Sequence, residues 1–149
     1  MWNLKPDERI RQWRHFRLEI GNQDLEIALK NVSNLWSYAP YVSHYLHPTD
    51  LTQWPDPWVL LHDNYYCDLA KSLGMLYTLY LSAHWKTNID DIEIRIYETI
   101  TEQFNTVWVN QGKYILNLEY NTIVNKSSIC SDFRLQHQIT IDQLKLDLN

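Results

Sequence analysis

The sequence predicts an α+β domain with N-terminal helices and a buried central helix packed on a C-terminal antiparallel sheet. Apolar residues recur every three or four positions through the first half, and every second position from about Asp91 onward. Between these halves lies "DLAKSLGMLYTLYLSA", a segment apolar on most sides, as suits a helix wrapped by other elements. At 149 residues the chain is long enough for one core without covalent staples. It reads as a single domain, helical over 1–86 and sheet over 91–149.

Each element has its own signal. Pro6 suits a first helical turn, and Asp7 and Glu8 favour a helix N-terminus. Ile10, Trp13, Phe16 or Arg17, and Ile20 follow at helical spacing, with Gly21 as the stop. Arg9, Arg11, Arg14 and Arg17, interleaved with Asp7, Glu8 and Glu19, read as a solvated face of that helix. A second helix carries Leu25, Ala28, Val32 and Leu35 on one stripe, and Pro40 closes it. "HPTDLTQWPDPW" is a loop by its prolines, and Asp56-Pro57 opens another helix. The long helix is expected from about Tyr66 to Ala83.

Ile92, Ile94 and Ile96 then alternate with charged residues as one strand. "FNTVWVNQGKYILNLEY" reads as a hairpin turning at Gln111-Gly112. A last strand alternates Phe133, Leu135, Ile139 and Ile141. Its parity slips to Leu144, Leu146 and Leu148, which predicts a bulge or bend near Asp142-Gln143.

Composition narrows the function classes. With three glycines there is no phosphate-cradling loop, and a net charge of −5 lacks the basic footprint of nucleic-acid binders. No run approaches the roughly 18 apolar residues of a membrane span, and "MWNLKPDERI" lacks the apolar stretch of a signal peptide. Cys67 and Cys130 form no disulfide framework, consistent with a reducing cytoplasm. His44, His47 and His62 with Asp50 or Asp63 offer one i, i+3 pair but no second ligand pair at metal-site spacing. Neither a metal nor a cofactor is expected.

The chemistry turns on Cys67. A cysteine at a helix N-terminus has its thiolate favoured by unpaired N–H groups, but acyl attack also needs a base, usually His, oriented by Asp or Asn. The order "QWPDPWVLLHDNYYCDLAKSLGMLYTLYLS" then "FNTVWVNQGKYILNLEYN" resembles a transglutaminase-like (papain-like) cysteine hydrolase domain over about Trp54 to Asn121. The resemblance implies a nucleophile at Cys67 or, in the other register, Tyr66. It places the base at Asn105 or Thr106 and the orienting acid at Asn117. None of Asn105, Thr106 and Asn117 accepts a proton near neutral pH. If the chain is active, Cys67 would work with His137 or His62, oriented by Asn117. If not, Cys67 is a small buried hydrophobe. His137 has the parity of Leu135 and Ile139, which places it on the apolar face of the last strand.

Seven tryptophans and ten tyrosines exceed what one core of this size usually consumes. Several sit between Tyr38 and Trp58, where they would fold back as a lid or anchor a partner. Tyr41, Tyr45, Trp54, Trp58, Leu144 and Leu146 are the expected partner-binding set. Short, Tyr- and Asn-rich and Gly-poor, the chain also resembles accessory and structural proteins of contractile-tailed bacteriophages. That resemblance implies synthesis in the bacterial host cytoplasm and incorporation in the virion tail, baseplate or neck, with other virion subunits as partners. There "QITIDQLKLDLN" is expected to pair with a neighbouring sheet edge. The expected function is therefore a non-catalytic interaction or assembly protein. The alternative is a thiol hydrolase or transferase acting on amide bonds.

Overall fold

The computed structural model describes residues 1–146. Six helices, α1 (Pro6–Ile20), α2 (Leu25–Ser37), α3 (Pro57–Asp63), α4 (Asp68–Tyr80), α5 (Ala83–Asn88) and α6 (Ile141–Leu144), accompany five strands. The strands are β1 (Ile92–Glu98), β2 (Gln103–Val109), β3 (Tyr114–Leu116), β4 (Ile123–Val124) and β5 (Arg134–Thr140). They form one antiparallel sheet in the order β4-β3-β2-β1-β5. No described helix is long and apolar enough to cross a membrane.

Local chemistry explains the helix starts. Pro6 opens α1, and the Asp56 carboxylate accepts the Val59 N–H at 2.9 Å to cap α3, with Pro57 in its first turn. Helix α4 is the centre: residues 72–79 are all buried, and it packs on α2 and α3 on one side and on β1 and β2 on the other. It is shorter than the periodicity predicted. Leu81 and Ser82 break the helix, and α5 resumes at Ala83, where Trp85 buries its ring and donates to Ile20 O at 2.7 Å.

The sheet's helix-facing side carries Ile94, Ile96, Asn105, Val107, Val109, Leu116 and Ile139. Its other side holds a separate small core of Tyr97, Trp108 and Ile115, flanked by Phe104, Leu118, Val124, Ile129 and Phe133. Arg95 lies 3.9 Å over the Trp108 ring and pairs with Glu93 at 2.8 Å. The β2–β3 turn runs through Asn110, Gln111 and Gly112, all at positive φ, the last at 84°. A Cβ on Gly112 would sit 2.5 Å from Trp108 Cζ3. Gly112→Ala is therefore expected to lower stability by about 1–3 kcal/mol in urea denaturation, from backbone strain and overpacking together. An unchanged urea midpoint would contradict this.

Three expectations are corrected. Of the bulge or bend expected near Asp142-Gln143, the chain makes a bend and not a bulge. Strand β5 stops at Thr140, whose side chain and Gln143 form a capping box, and α6 follows, so Asp142, Gln143 and Leu144 are helical and no extended strand continues through them. The irregularity lies earlier, where His137 pairs with Ile96 but Leu135 pairs with Tyr97. His137 thus shares the helix-facing side with Ile139, while Leu135 lies on the opposite face and is 46% exposed. Leu148 lies outside the described residues.

The basic cluster is not wholly solvated either. Arg9 is buried and donates to the backbone carbonyls of Leu4, Leu61 and His62, tying α1 to α3. Arg17 stacks 4.2 Å over Trp13. The aromatic surplus is largely core: Trp13 and Trp36 are fully buried, Trp85 and Trp108 nearly so, and Trp2 packs on Trp36 and Tyr66.

Candidate functional site

The approach to α4 is held by backbone pairing. Tyr66 donates to Pro40 O and accepts from Val42 N, both at 3.0 Å, so the chain enters α4 anchored against the loop after α2. Cys67 is then the helix N-cap, buried, with its sulfur making no cap bond. The side chain one position earlier points away. Tyr66 is buried between Trp2 and Trp36, with its hydroxyl on Asn64 Oδ1 at 3.3 Å. Burial pushes the Tyr66 hydroxyl pKa up.

The residue that meets the sheet is Asp68. Asn105, on the helix-facing side of β2, donates Nδ2 to Asp68 Oδ2 at 2.9 Å. Asn117, just past β3 and in the left-handed region at φ 62°, directs Nδ2 at Ser72 Oγ (2.7 Å), Asn105 O (3.0 Å) and Asp68 Oδ1 (3.3 Å). Ser72, one turn after Asp68, donates to Asn105 O, and Gln103 donates Nε2 to Asn105 Oδ1 at 2.9 Å. Burial pushes the Asp68 carboxyl above its ordinary value, against the opposing pull of Asn105, Asn117 and Lys71.

The sequence register therefore needs correction. It placed Tyr66 or Cys67 opposite Asn105 and Asn117, but both precede the helix, Cys67 being extended at φ −74° and ψ 173°, and Asp68, the first helical residue, is the one bonded to β2 and the segment after β3. Of Asn105 and Thr106, only Asn105 belongs to this cluster. Thr106 points to the far face, donating to Arg95 O at 2.7 Å and accepting from Trp108 Nε1 at 3.1 Å. Ser72 and Gln103 were not anticipated. Strand alternation in "FNTVWV" was the signal available, since it sets Asn105 beside Val107 and Val109.

Among the described residues no hydrogen bond joins any imidazole to Cys67; His62 is exposed and reaches Asp63 Oδ1 at 3.4 Å. The half-buried Tyr45 hydroxyl donates to Asp63 Oδ2 at 3.2 Å. Burial, with Asp63, Tyr65 and Cys67 adding to it, pushes the Tyr45 hydroxyl pKa up. His47 Nδ1 is 2.7 Å from the Thr49 hydroxyl. No group of three His, Cys, Asp or Glu side chains among the described residues is arranged to hold a metal.

Of the six residues expected to bind a partner, Trp54, Trp58, Leu144 and Leu146 line one groove, while Tyr41 and Tyr45 do not. Tyr41 is 65% exposed on the other flank, its ring 5.9 Å from Lys71 Nζ, and Lys71 itself donates to Ser37 O at 3.1 Å. Tyr38 and Tyr120 stack edge-on, both exposed.

No family model matches the sequence, and no curated protein matches it. Among solved structures the chain is similar to Legionella pneumophila LapG in its calcium-bound form, with a TM-score of 0.72. Identity is 13%, and the match covers 93% of this chain and 78% of that one. The chain therefore has the transglutaminase-like fold, α+β with helices ahead of an antiparallel sheet.

Proposed function

We propose that this chain is a non-catalytic interaction protein on a transglutaminase-like scaffold, a structural component of a bacteriophage virion in its tail, baseplate or neck. The observation that carries the non-catalytic reading is the cluster of Asp68, Ser72, Asn105 and Asn117. Where a thiol hydrolase needs a sulfur, a proton acceptor and a group to steer it, this site holds a carboxylate and two amides bonded to one another. An amide neither takes nor gives a proton near neutral pH, so Asn105 cannot serve as a general base. Satisfied hydrogen bonds in a buried setting rigidify, and here they clamp α4 to β2 and β3. What such a scaffold retains is shape, with exposed Tyr38, Tyr41 and Tyr120 available as aromatic anchors for protein partners. The virion assignment rests on the sequence's resemblance to proteins of contractile-tailed phages.

The competing reading is a thiol hydrolase with Cys67 as nucleophile, favoured by its position at the N-cap of α4. Iodoacetamide separates the two, because the exposed Cys130 is an internal reference. Cys67 should be alkylated more slowly than Cys130 at neutral pH, and Cys67→Ser should leave folding and partner capture unchanged. Alkylation of Cys67 faster than Cys130, with a thiolate already formed below neutral pH, would establish an activated nucleophile and end the non-catalytic proposal. For the assembly role, gradient-banded particles of the encoding phage should contain the chain at a fixed copy number. Its absence from them would exclude a structural role.

A further inference from the structure

Away from the Asp68 cluster, a groove of about 720 Å³ lies between the proline-rich loop and the turn after α6. Its floor is Tyr77, nine residues along α4 from Asp68 and so about 14 Å from it at the helical rise. Its volume falls within the range of small-ligand sites, roughly 300–1,000 Å³.

The lining is of a particular kind. Trp54 and Trp58 line one wall, Trp58 with its ring 5.8 Å edge-on from that of Trp13, and Leu144 and Leu146 line the other. Trp54 is locked by its indole N–H on His47 O at 2.8 Å, and Tyr77 by its hydroxyl on Pro55 O at 2.7 Å. Trp58 differs. Trp2, Trp13, Trp36, Trp54, Trp85 and Trp108 each donate Nε1 to an acceptor within the chain, whereas Trp58 Nε1 has none among the described residues. Trp58 is also 43% exposed, its ring 5.7 Å from the Arg17 guanidinium.

Three further polar groups line the groove with spare capacity. Asp56 uses Oδ1 on the Val59 N–H and keeps Oδ2. Gln143 uses Oε1 on the Thr140 N–H and keeps its Nε2 donors. Lys145 forms no ion pair among the described residues.

The geometry points to a neutral oligosaccharide as the occupant of this groove. One carboxylate and one ammonium cancel, so the lining does not complement an anion or a cation. Donors on both walls and an acceptor on one match hydroxyl groups, each of which donates and accepts. The apolar C–H face of a sugar ring packs on an indole face, while its hydroxyls reach the Trp58 N–H, Asp56 and Gln143. This site is independent of the non-catalytic reading, since it shares no residue with the Asp68 cluster.

The test is a ¹H–¹⁵N titration of the tryptophan indoles in the full chain. The probes are cellotetraose, maltotetraose and chitotetraose, each to about 10 mM, which saturates a Kd near 1 mM. The expected result is a saturable shift of the Trp58 indole signal with at least one of them. Trp58→Ala and Asp56→Asn should each weaken that binding about tenfold, with the Trp108 indole signal unmoved as evidence of an intact fold. Asn still caps α3, so loss of binding in Asp56→Asn reports the groove and not unfolding. Absence of a Trp58 shift with all three sugars would overturn the assignment. So would binding that survives both substitutions, or a Trp58 shift produced only by a proline-rich decapeptide.

Discussion

Gly74→Ala is expected to destabilise the chain by about 2–4 kcal/mol, although alanine is ordinarily the better helix former by about 1 kcal/mol. A Cβ at this position would lie 2.3, 2.4 and 2.6 Å from three carbons of the Trp36 ring, where carbon contacts are optimal at about 3.5–4 Å. Relief would require Trp36 to move, and its surroundings resist. The ring is fully buried, and its Nε1 donates to Thr78 Oγ1 at 2.9 Å. The same oxygen accepts from Trp13 Nε1 at 2.9 Å and donates to Gly74 O at 2.7 Å. One hydroxyl thus serves two indoles and a carbonyl, all the bonds it can make. Displacing Trp36 leaves a buried donor unpaired, at about 1–3 kcal/mol, on top of about 1–3 kcal/mol for overpacking. Thermal and urea denaturation followed by circular dichroism would measure it. A variant as stable as the parent would show that α2 and α4 are not in contact at this crossing.

Asp68→Ala should cost about 2–3 kcal/mol. It removes the acceptor for Asn105 Nδ2 and one for Asn117, and Asn105 is only 6% exposed, so its amide cannot turn to solvent. It also removes a negative charge from the first turn of α4, where the helix dipole favours one. Asp68→Asn, which retains the shape, should cost less and should alter the pH dependence. Burial holds the folded carboxyl above the 3.8 of the unfolded chain, so the folded state binds the proton more tightly. That contribution to stability is fully present below pH 3.8 and is lost as pH rises through the raised folded value. The urea midpoint of the parent minus that of Asp68→Asn should therefore fall with rising pH over this window. A difference that stays flat or rises would mean that Asp68 is not buried in this cluster.

The order of elements was legible because its signals are local. The 3.6-residue period of Trp13 and Ile20, the Asp56-Pro57 start and the two-residue alternation of Ile92, Ile94 and Ile96 all act within a few residues. Strand β4, by contrast, is two residues long and forms only because β3 is beside it. The break at Leu81-Ser82 gives little local sign; Ser82 Oγ donates to Arg17 O on α1 at 3.2 Å, a contact 65 residues away. The aromatic residues misled for a similar reason. Tryptophan is compatible with core and interface alike, and only packing shows that Trp13 and Trp36 share one threonine hydroxyl while Trp58 remains on the surface.

By itself the sequence determined that helices precede an antiparallel sheet and that α4 is the buried helix at its centre; only the resemblance to transglutaminase-like domains set Asn105 or Thr106, and Asn117, against the start of that helix. Which residue there the two amides meet was decided by tertiary structure alone. Tyr66, Cys67 and Asp68 are adjacent in the chain, yet only Asp68 has entered the helix, while Cys67 is still extended and Tyr66 is paired with the loop after α2. The anchoring of Tyr66 on Pro40 and Val42, together with the register of β2 against β3, aims Asp68 at the amides. Periodicity defines a face; a specific contact on that face needs the relative placement of elements far apart in sequence.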